Sequence, residues 1–204
     1  MIGYYFITDA GLSRRGNISD VKNALAAGVK IIQYRNKNAA ARRMYEEALK
    51  LRNLCRDRTL LVNDRIDIAL AVGADGVHLG QKDIPCRIAR KILGRKKIIG
   101  LTVHNLKEAR QARRWGADYI GVAPVFPTHT KSDAIKAVGV KLIREIKRHI
   151  DIPVVALGGV NLSNAKDIIR AGADGLCAIS AVVSKKDVKT EIQKYQRLFK
   201  DAHG

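Results

Sequence analysis

The sequence predicts an α/β protein folded as a single (β/α)8 TIM barrel, on three observations. Short β-rich apolar runs alternate with amphipathic stretches of helical period along the whole chain. A Gly-Ala-Asp tripeptide recurs where helix gives way to strand, at Gly73-Ala74-Asp75, Gly116-Ala117-Asp118 and Gly172-Ala173-Asp174, with Ala27-Gly28-Val29-Lys30 as a looser copy. Finally, the 204 residues divide into eight βα units of about 25 residues with nothing left over, so one domain over residues 1–204 is expected.

The first strand is expected at Tyr4 to Thr8, an aromatic and β-branched run, before a helix from Ser19 to Ala27. Lys30 to Tyr34 leads to the helix Ala39 to Arg56, where apolar residues recur at helical spacing among many cations. Leu60 to Val62 with Arg65 to Val72, Gly76 to Leu79 with Ile84 to Ile92, and Ile98 to Leu101 with Leu106 to Trp115 make the next three units. Tyr119 to Val122 precedes the longest loop and the helix Val140 to His149. Val154 to Leu157 with Leu162 to Ala171, then Leu176 to Ile179 with Val188 to Asp201, complete the set. Several strands are wholly apolar, as parallel strands buried on both faces are. Glycine just past a helix tolerates the left-handed conformation that ends it. The repeated turns are thus expected at the stabilising end of the barrel, and the residues that follow the strands at the active-site end.

Composition narrows the function. With 47% hydrophobic residues the chain can bury a sizeable core, which excludes disorder, and no apolar run is long enough to span a membrane. No leader is readable before Tyr4, so a cytoplasmic location is expected. The 38 Lys and Arg against 19 Asp and Glu leave a net charge of +19, which implies an anionic partner. These cations are spread among helical segments, and aromatics are only 5% of the chain, so specific nucleic-acid recognition is not expected and small phosphorylated substrates are. Cys55, Cys86 and Cys177 have neither disulfide nor zinc spacing and read as inert thiols.

The strand ends carry the chemistry. Gln33-Tyr34-Arg35-Asn36-Lys37 places two cations and a carboxamide at the rim, either to bind an anion or to form a salt-bridged edge. Asn63-Asp64-Arg65 follows the third strand, where Asn or Asp also serves as a helix cap. Gly80-Gln81-Lys82-Asp83 follows the fourth and puts a second carboxylate on the neighbouring loop. Two such oxygen donors beside cations suit a magnesium ion that holds a pyrophosphate and keeps several waters, which shifts Asp64 and Asp83 toward metal ligation. Thr102-Val103-His104-Asn105 comes next, with Asn105 as an ordinary N-cap and His104 either a rim histidine or an acid/base group. The loop from Ala123 to Ala134, with Thr128, His129, Thr130 and Lys131, reads as a binding lid. Gly158-Gly159 and Ile179-Ser180-Ala181 end the last two strands, where barrels commonly bind phosphate on backbone N–H groups, and Gly159→Val is expected to block that site sterically.

These segments, in this order on successive strands, closely resemble the thiamine phosphate synthase family over nearly the whole chain. The resemblance implies a transferase that joins hydroxymethylpyrimidine diphosphate to a thiazole phosphate and releases pyrophosphate. It implies that Gln33, Arg35, Lys37, Asn63, Thr102 and Lys131 hold the pyrimidine diphosphate, with Arg35 and Lys131 stabilising the departing pyrophosphate. Asp64 and Asp83 would bind Mg²⁺, and Thr128, Thr130, Gly159, Ile179 and Ser180 the thiazole phosphate. Tyr34, Asn36 and His129 lie within these binding segments and are counted with them. The implied mechanism is dissociative, through a pyrimidinylmethyl cation, and needs no protein nucleophile. Thr102 stands where the family usually has Ser, Asn36 and Asn38 where acids are common, and Ala123 where Gly is frequent. A related thiazole tautomerase is the competing enzyme, disfavoured by Asp64, Asp83 and Lys131. A basic nucleic-acid binder is the competing class.

Overall fold

The computed structural model describes residues 2–128 and 136–202. Its strands are β1 (Gly3–Tyr4), β2 (Phe6–Ile7), β3 (Ile31–Tyr34), β4 (Thr59–Asn63), β5 (Gly76–Leu79), β6 (Ile98–Val103), β7 (Tyr119–Val122), β8 (Val154–Leu157) and β9 (Gly175–Cys177). The helices are α1 (Asn17–Ala26), α2 (Ala41–Leu54), α3 (Ile66–Ala71), α4 (Cys86–Leu93), α5 (Leu106–Arg114), α6 (Gly139–His149), α7 (Ala165–Arg170), α8 (Ser180–Val183) and α9 (Val188–Asp201).

All strand pairs are parallel, and the predicted first strand is split about Tyr5: β1 pairs with β9, whereas β2 pairs with β3. The Tyr5 N–H bonds to Leu176 O at 2.9 Å, and the Thr8 N–H to Gln33 O at 3.0 Å. Within a few residues the chain passes from one neighbour to the other. The sheet order β1-β9-β8-β7-β6-β5-β4-β3-β2 therefore closes on itself, and the fold is a (β/α)8 barrel. Two boundaries differ from expectation in ways that matter. The fifth predicted strand continues through Val103, so Thr102 lies inside β6 and not beyond it, and the last strand stops at Cys177 before the short α8 that periodicity did not reveal.

Strand alternation sorts the side chains. Tyr5, Ile7, Leu61, Tyr119, Val155, Leu157 and Cys177 pack inside the barrel, and a larger apolar layer lies between strands and helices. Two strand glycines make room for the interior rings. A Cβ on Gly100 would run into the Tyr119 ring, and one on Gly121 would come within 3.0 Å of His78 Cε1. All three cysteines are buried and none is in a disulfide, and burial pushes the Cys55 thiol up to about 11, in keeping with an inert thiol there. Among the described residues no helix is long and apolar enough to cross a membrane.

The Gly-Ala-Asp turns act as clasps. Gly73, Gly116 and Gly172 adopt positive φ of 66°, 82° and 91°. Each following aspartate accepts two donors on one oxygen: Asp75 Oδ2 from Leu60 N–H and Arg52, Asp118 Oδ2 from Ile99 N–H and Arg90, Asp174 Oδ2 from Val154 N–H and Lys147, all at 2.6–2.8 Å. A helix, a turn and the start of the preceding strand are tied at one carboxylate. Asp118→Ala leaves the Ile99 N–H unpaired at the bottom of the barrel, so a loss of about 1–2 kcal/mol is expected. A thermal melt should show this as a Tm lower by ~2–8 °C, with activity at low temperature retained.

Candidate active site

A cavity of about 250 Å³ opens where β3, β4, β5, β6, β8 and β9 end. The period of the extended backbone selects its first wall. Gln33, Arg35 and Lys37 face the cavity, whereas Tyr34 and Asn36 do not line it and instead donate hydrogen bonds of 2.7 and 3.2 Å to Glu47 Oε2 on α2. Tyr34 and Asn36, counted with the binding segment from the sequence, thus turn toward α2 and away from the cavity.

Arg35 is held in place from two directions. Its backbone N–H donates to Thr8 Oγ1 at 2.8 Å, and its Nη1 pairs with Asp9 Oδ2. Among the described residues its Nε is a buried donor with no hydrogen-bond partner. Such a donor at the floor of a cavity suits an anionic oxygen.

Asp64 and Asp83 both line the same cavity. Asp64 is the one non-glycine among the described residues at positive φ, 61°, a conformation that aspartate tolerates better than most residues. Its N–H donates to His78 O at 2.9 Å, and its Oδ2 lies 3.8 Å from Lys37 Nζ. Neither Asn63 nor Asp64 caps α3, whose N-cap is Arg65 with no side-chain hydrogen bond, so the capping alternative falls away. Asp83 Oδ2 accepts the Gly80 N–H at 2.6 Å, which fixes the carboxylate beneath its loop. Two carboxylates flanked by Arg35, Lys37 and Lys82 make a divalent cation and a multiply charged phosphate compatible occupants.

The opposite wall is Thr128, Gly158, Gly159, Ile179 and Ser180. Val125 and Phe126 N–H groups bond to Leu157 O and Gly158 O at 2.8 and 3.1 Å, which lays the loop after β7 against the loop after β8. Gly159 has φ 64°, and its missing Cβ would lie 2.5 Å from Pro127 O and 2.7 Å from Phe126 Cβ. A side chain at Gly159 therefore strikes the loop after β7. Gly159→Ala is expected to lower both stability and anion affinity at this wall, read together as a lower Tm and a raised Kd for inorganic phosphate.

Inside the barrel behind this cavity runs a chain of buried polar side chains. Gln33 Nε2 donates to Tyr5 Oη at 2.6 Å, Tyr5 Oη lies 2.8 Å from Tyr119 Oη, and His78 joins Tyr119 Oη (2.7 Å) to Thr102 Oγ1 (2.9 Å) through its two ring nitrogens. Burial pushes both phenols well above their ordinary range, so Tyr5 and Tyr119 are neutral donors and acceptors.

Residues 4–182 match the sequence profile of the family described as thiamine monophosphate synthase. The chain belongs to the thiamine monophosphate synthase family. It is 50% identical to the thiamine-phosphate synthase of Methanosarcina mazei over 204 residues, which is all of this chain and 85% of that protein. The thiamine-phosphate synthase of Chloroflexus aurantiacus is 50% identical over 197 residues, covering 95% of this chain and 91% of its own. Among solved structures, the thiamine phosphate pyrophosphorylase of Pyrococcus furiosus superposes with a TM-score of 0.91 at 40% identity, covering all of this chain and 98% of that one. Membership of the thiamine monophosphate synthase family makes the chain a transferase of thiamine biosynthesis.

Of the residues that the resemblance to this family singled out, Gln33, Arg35, Lys37, Asn63, Asp64, Asp83, Thr102, Thr128, Gly159, Ile179 and Ser180 all line one cavity. His129, Thr130 and Lys131 lie outside the described residues. His104 sits at the cavity edge with its Nδ1 2.9 Å from Glu108 Oε2, while Asn105 Oδ1 caps α5 through the Glu108 N–H as the sequence predicts. Sequence reasoning passed over His78, Gln81, Lys82 and Asp9. The signal for His78 was its place in Gly76-Val77-His78-Leu79, a buried strand in which position 78 shares a face with Gly76 and not with Val77.

Proposed function

We propose that the chain is a thiamine-phosphate synthase, a single barrel domain over residues 1–204 that condenses hydroxymethylpyrimidine diphosphate with thiazole phosphate and releases pyrophosphate. The observation that carries this reading is one cavity bearing Arg35, Lys37 and two carboxylates on one wall and Gly158-Gly159 with Ser180 on the other. Two anions of different size are accommodated by such a division: a diphosphate on side-chain charges and a monophosphate on backbone N–H groups.

Asp64 and Asp83 would hold Mg²⁺, a hard cation that takes carboxylate, phosphate and water oxygens. Bound there, the ion would neutralise charge on the pyrophosphate as it leaves. Arg35 would donate to the same group through the Nε that otherwise has no partner, held at the correct angle by Asp9 and Thr8. Lys37 would exchange its contact with Asp64 for a phosphate oxygen. Lys131 would add a further cation from the loop after β7. Gln33, Asn63 and Thr102 would orient the pyrimidine, and Thr128, Thr130, Gly159, Ile179 and Ser180 the thiazole phosphate. The bond from pyrimidine methylene to oxygen breaks first, and the thiazole nitrogen then captures the pyrimidinylmethyl cation, so no residue serves as a nucleophile.

A cavity wall of Arg35, Lys37 and two carboxylates suits a diphosphate with its metal ion, which favours this reading over a thiazole tautomerase that takes no pyrimidine diphosphate. The surface cations lie largely along exposed helix faces, which supports small-molecule partners and no specific nucleic acid, and a cytoplasmic location fits such a biosynthetic enzyme. Purified protein incubated with both substrates and Mg²⁺ should yield equimolar thiamine phosphate and pyrophosphate by mass spectrometry. Isomerisation of the thiazole without consumption of the pyrimidine would refute the assignment.

A further inference from the structure

Five side chains join in a single hydrogen-bonded line, Gln33 to Tyr5 to Tyr119 to His78 to Thr102, with separations of 2.6, 2.8, 2.7 and 2.9 Å. Gln33, His78 and Thr102 line the cavity, whereas Tyr5 and Tyr119 are buried in the barrel at 1% and 6% exposure. Glycines at 100 and 121 leave the space that the Tyr119 and His78 rings occupy, so the line is built into the strands.

Proton bookkeeping makes this line directional. Each phenol has one proton to donate. With Gln33 donating to Tyr5, the Tyr5 proton goes to Tyr119, the Tyr119 proton to His78 Nδ1, and the imidazole proton sits on Nε2 and goes to Thr102 Oγ1. A proton on Nδ1 would instead send the Tyr119 proton to Tyr5, and the Tyr5 proton would then need the Gln33 amide turned so that Oε1 faces it. A buried donor without a partner costs more than the arrangement can recover. With Gln33 donating, the Thr102 hydroxyl is left to donate outside the line, and Gln33 Oε1 is left to accept. Turning the Gln33 amide over reverses every donor together, so the two ends always carry opposite hydrogen-bonding character.

We propose that Tyr5, Tyr119 and His78 are positioning residues that couple Gln33 and Thr102 into one acceptor–donor pair reading the edge of an aminopyrimidine, whose exocyclic N–H donates beside a ring nitrogen that accepts. The inference rests on the synthase reading above. It explains why two phenols that do not line the cavity are placed in a layer that aliphatic side chains would fill at lower desolvation cost.

The test is Tyr119→Phe, with Tyr5→Phe as a second break in the line, each assayed with one substrate varied and the other saturating, beside a thermal melt. Loss of the coupling should raise the KM for the pyrimidine diphosphate ~5–20-fold and leave the KM for the thiazole phosphate within twofold. A pyrimidine KM within twofold of the parent overturns the proposal, and so does an equal rise in both KM values, which would mark a merely structural role. Whichever variant folds decides by the same thresholds. Failure of the parent itself to form thiamine phosphate would instead refute the synthase reading.

Discussion

Arg35→Ala is expected to lower kcat/KM by ~10²–10³, the loss that follows removal of one preorganised donor to a charge developing in the transition state. The side chain is 10% exposed and lies on the cavity floor, so its charge acts through little water. Its geometry is set before any ligand arrives, because Asp9 takes Nη1 and Thr8 clasps the backbone on both sides, accepting from Arg35 N–H and donating to Arg35 O. Arg35→Lys keeps the charge and loses the fork, so a smaller loss of ~10-fold is expected. Arg35→Ala also leaves the Asp9 carboxylate without its cation, and Asp9→Asn separates that effect: it should lower activity only modestly while the guanidinium stays. Steady-state kinetics at saturating Mg²⁺ decide the matter. An Arg35→Ala protein with kcat/KM near the parent would remove Arg35 from the reaction and leave it as one half of a rim ion pair.

Arg35 is legible in the amino-acid sequence and its partner Asp9 is not, and the contrast marks where sequence reasoning stops. Period-two alternation is local, so the direction of Gln33, Arg35 and Lys37 follows from β3 alone once its register is known. The same rule removes Tyr34 and Asn36, which belong to the same segment and go to Glu47. Asp9 is 26 residues from Arg35, and Tyr119 is 114 from Tyr5. Such pairs exist only after the barrel closes. The Gly-Ala-Asp turns were legible because each is a repeated local solution to one problem, ending a helix and starting a strand, although the second donor on each aspartate again comes from another element. Thr102 shows the cost of an uncertain boundary. Placed after the strand it is a free rim hydroxyl, whereas inside β6 it is the end of a buried polar line.

The carboxylate pair gives the second large effect. Asp64→Asn and Asp83→Asn should each slow turnover by ~10² at low Mg²⁺ and shift half-saturation to higher Mg²⁺ by ~10-fold, because each removes one negative charge and one strong oxygen ligand from a site with few protein ligands. Folding should be nearly untouched. Asparagine tolerates the left-handed conformation that Asp64 adopts at φ 61°, and an asparagine Oδ1 at position 83 can still accept the Gly80 N–H. The Lys37–Asp64 contact at 3.8 Å, with the lysine 55% exposed, contributes at most about 1 kcal/mol when it is lost. A thermal melt beside a Mg²⁺ titration of turnover thus separates metal binding from structure. If both variants match the parent at low Mg²⁺, the two carboxylates hold no ion. The positive φ of Asp64 would then be a feature of the turn between β4 and α3, and the cations at Arg35 and Lys37 would have to stabilise the departing pyrophosphate by themselves.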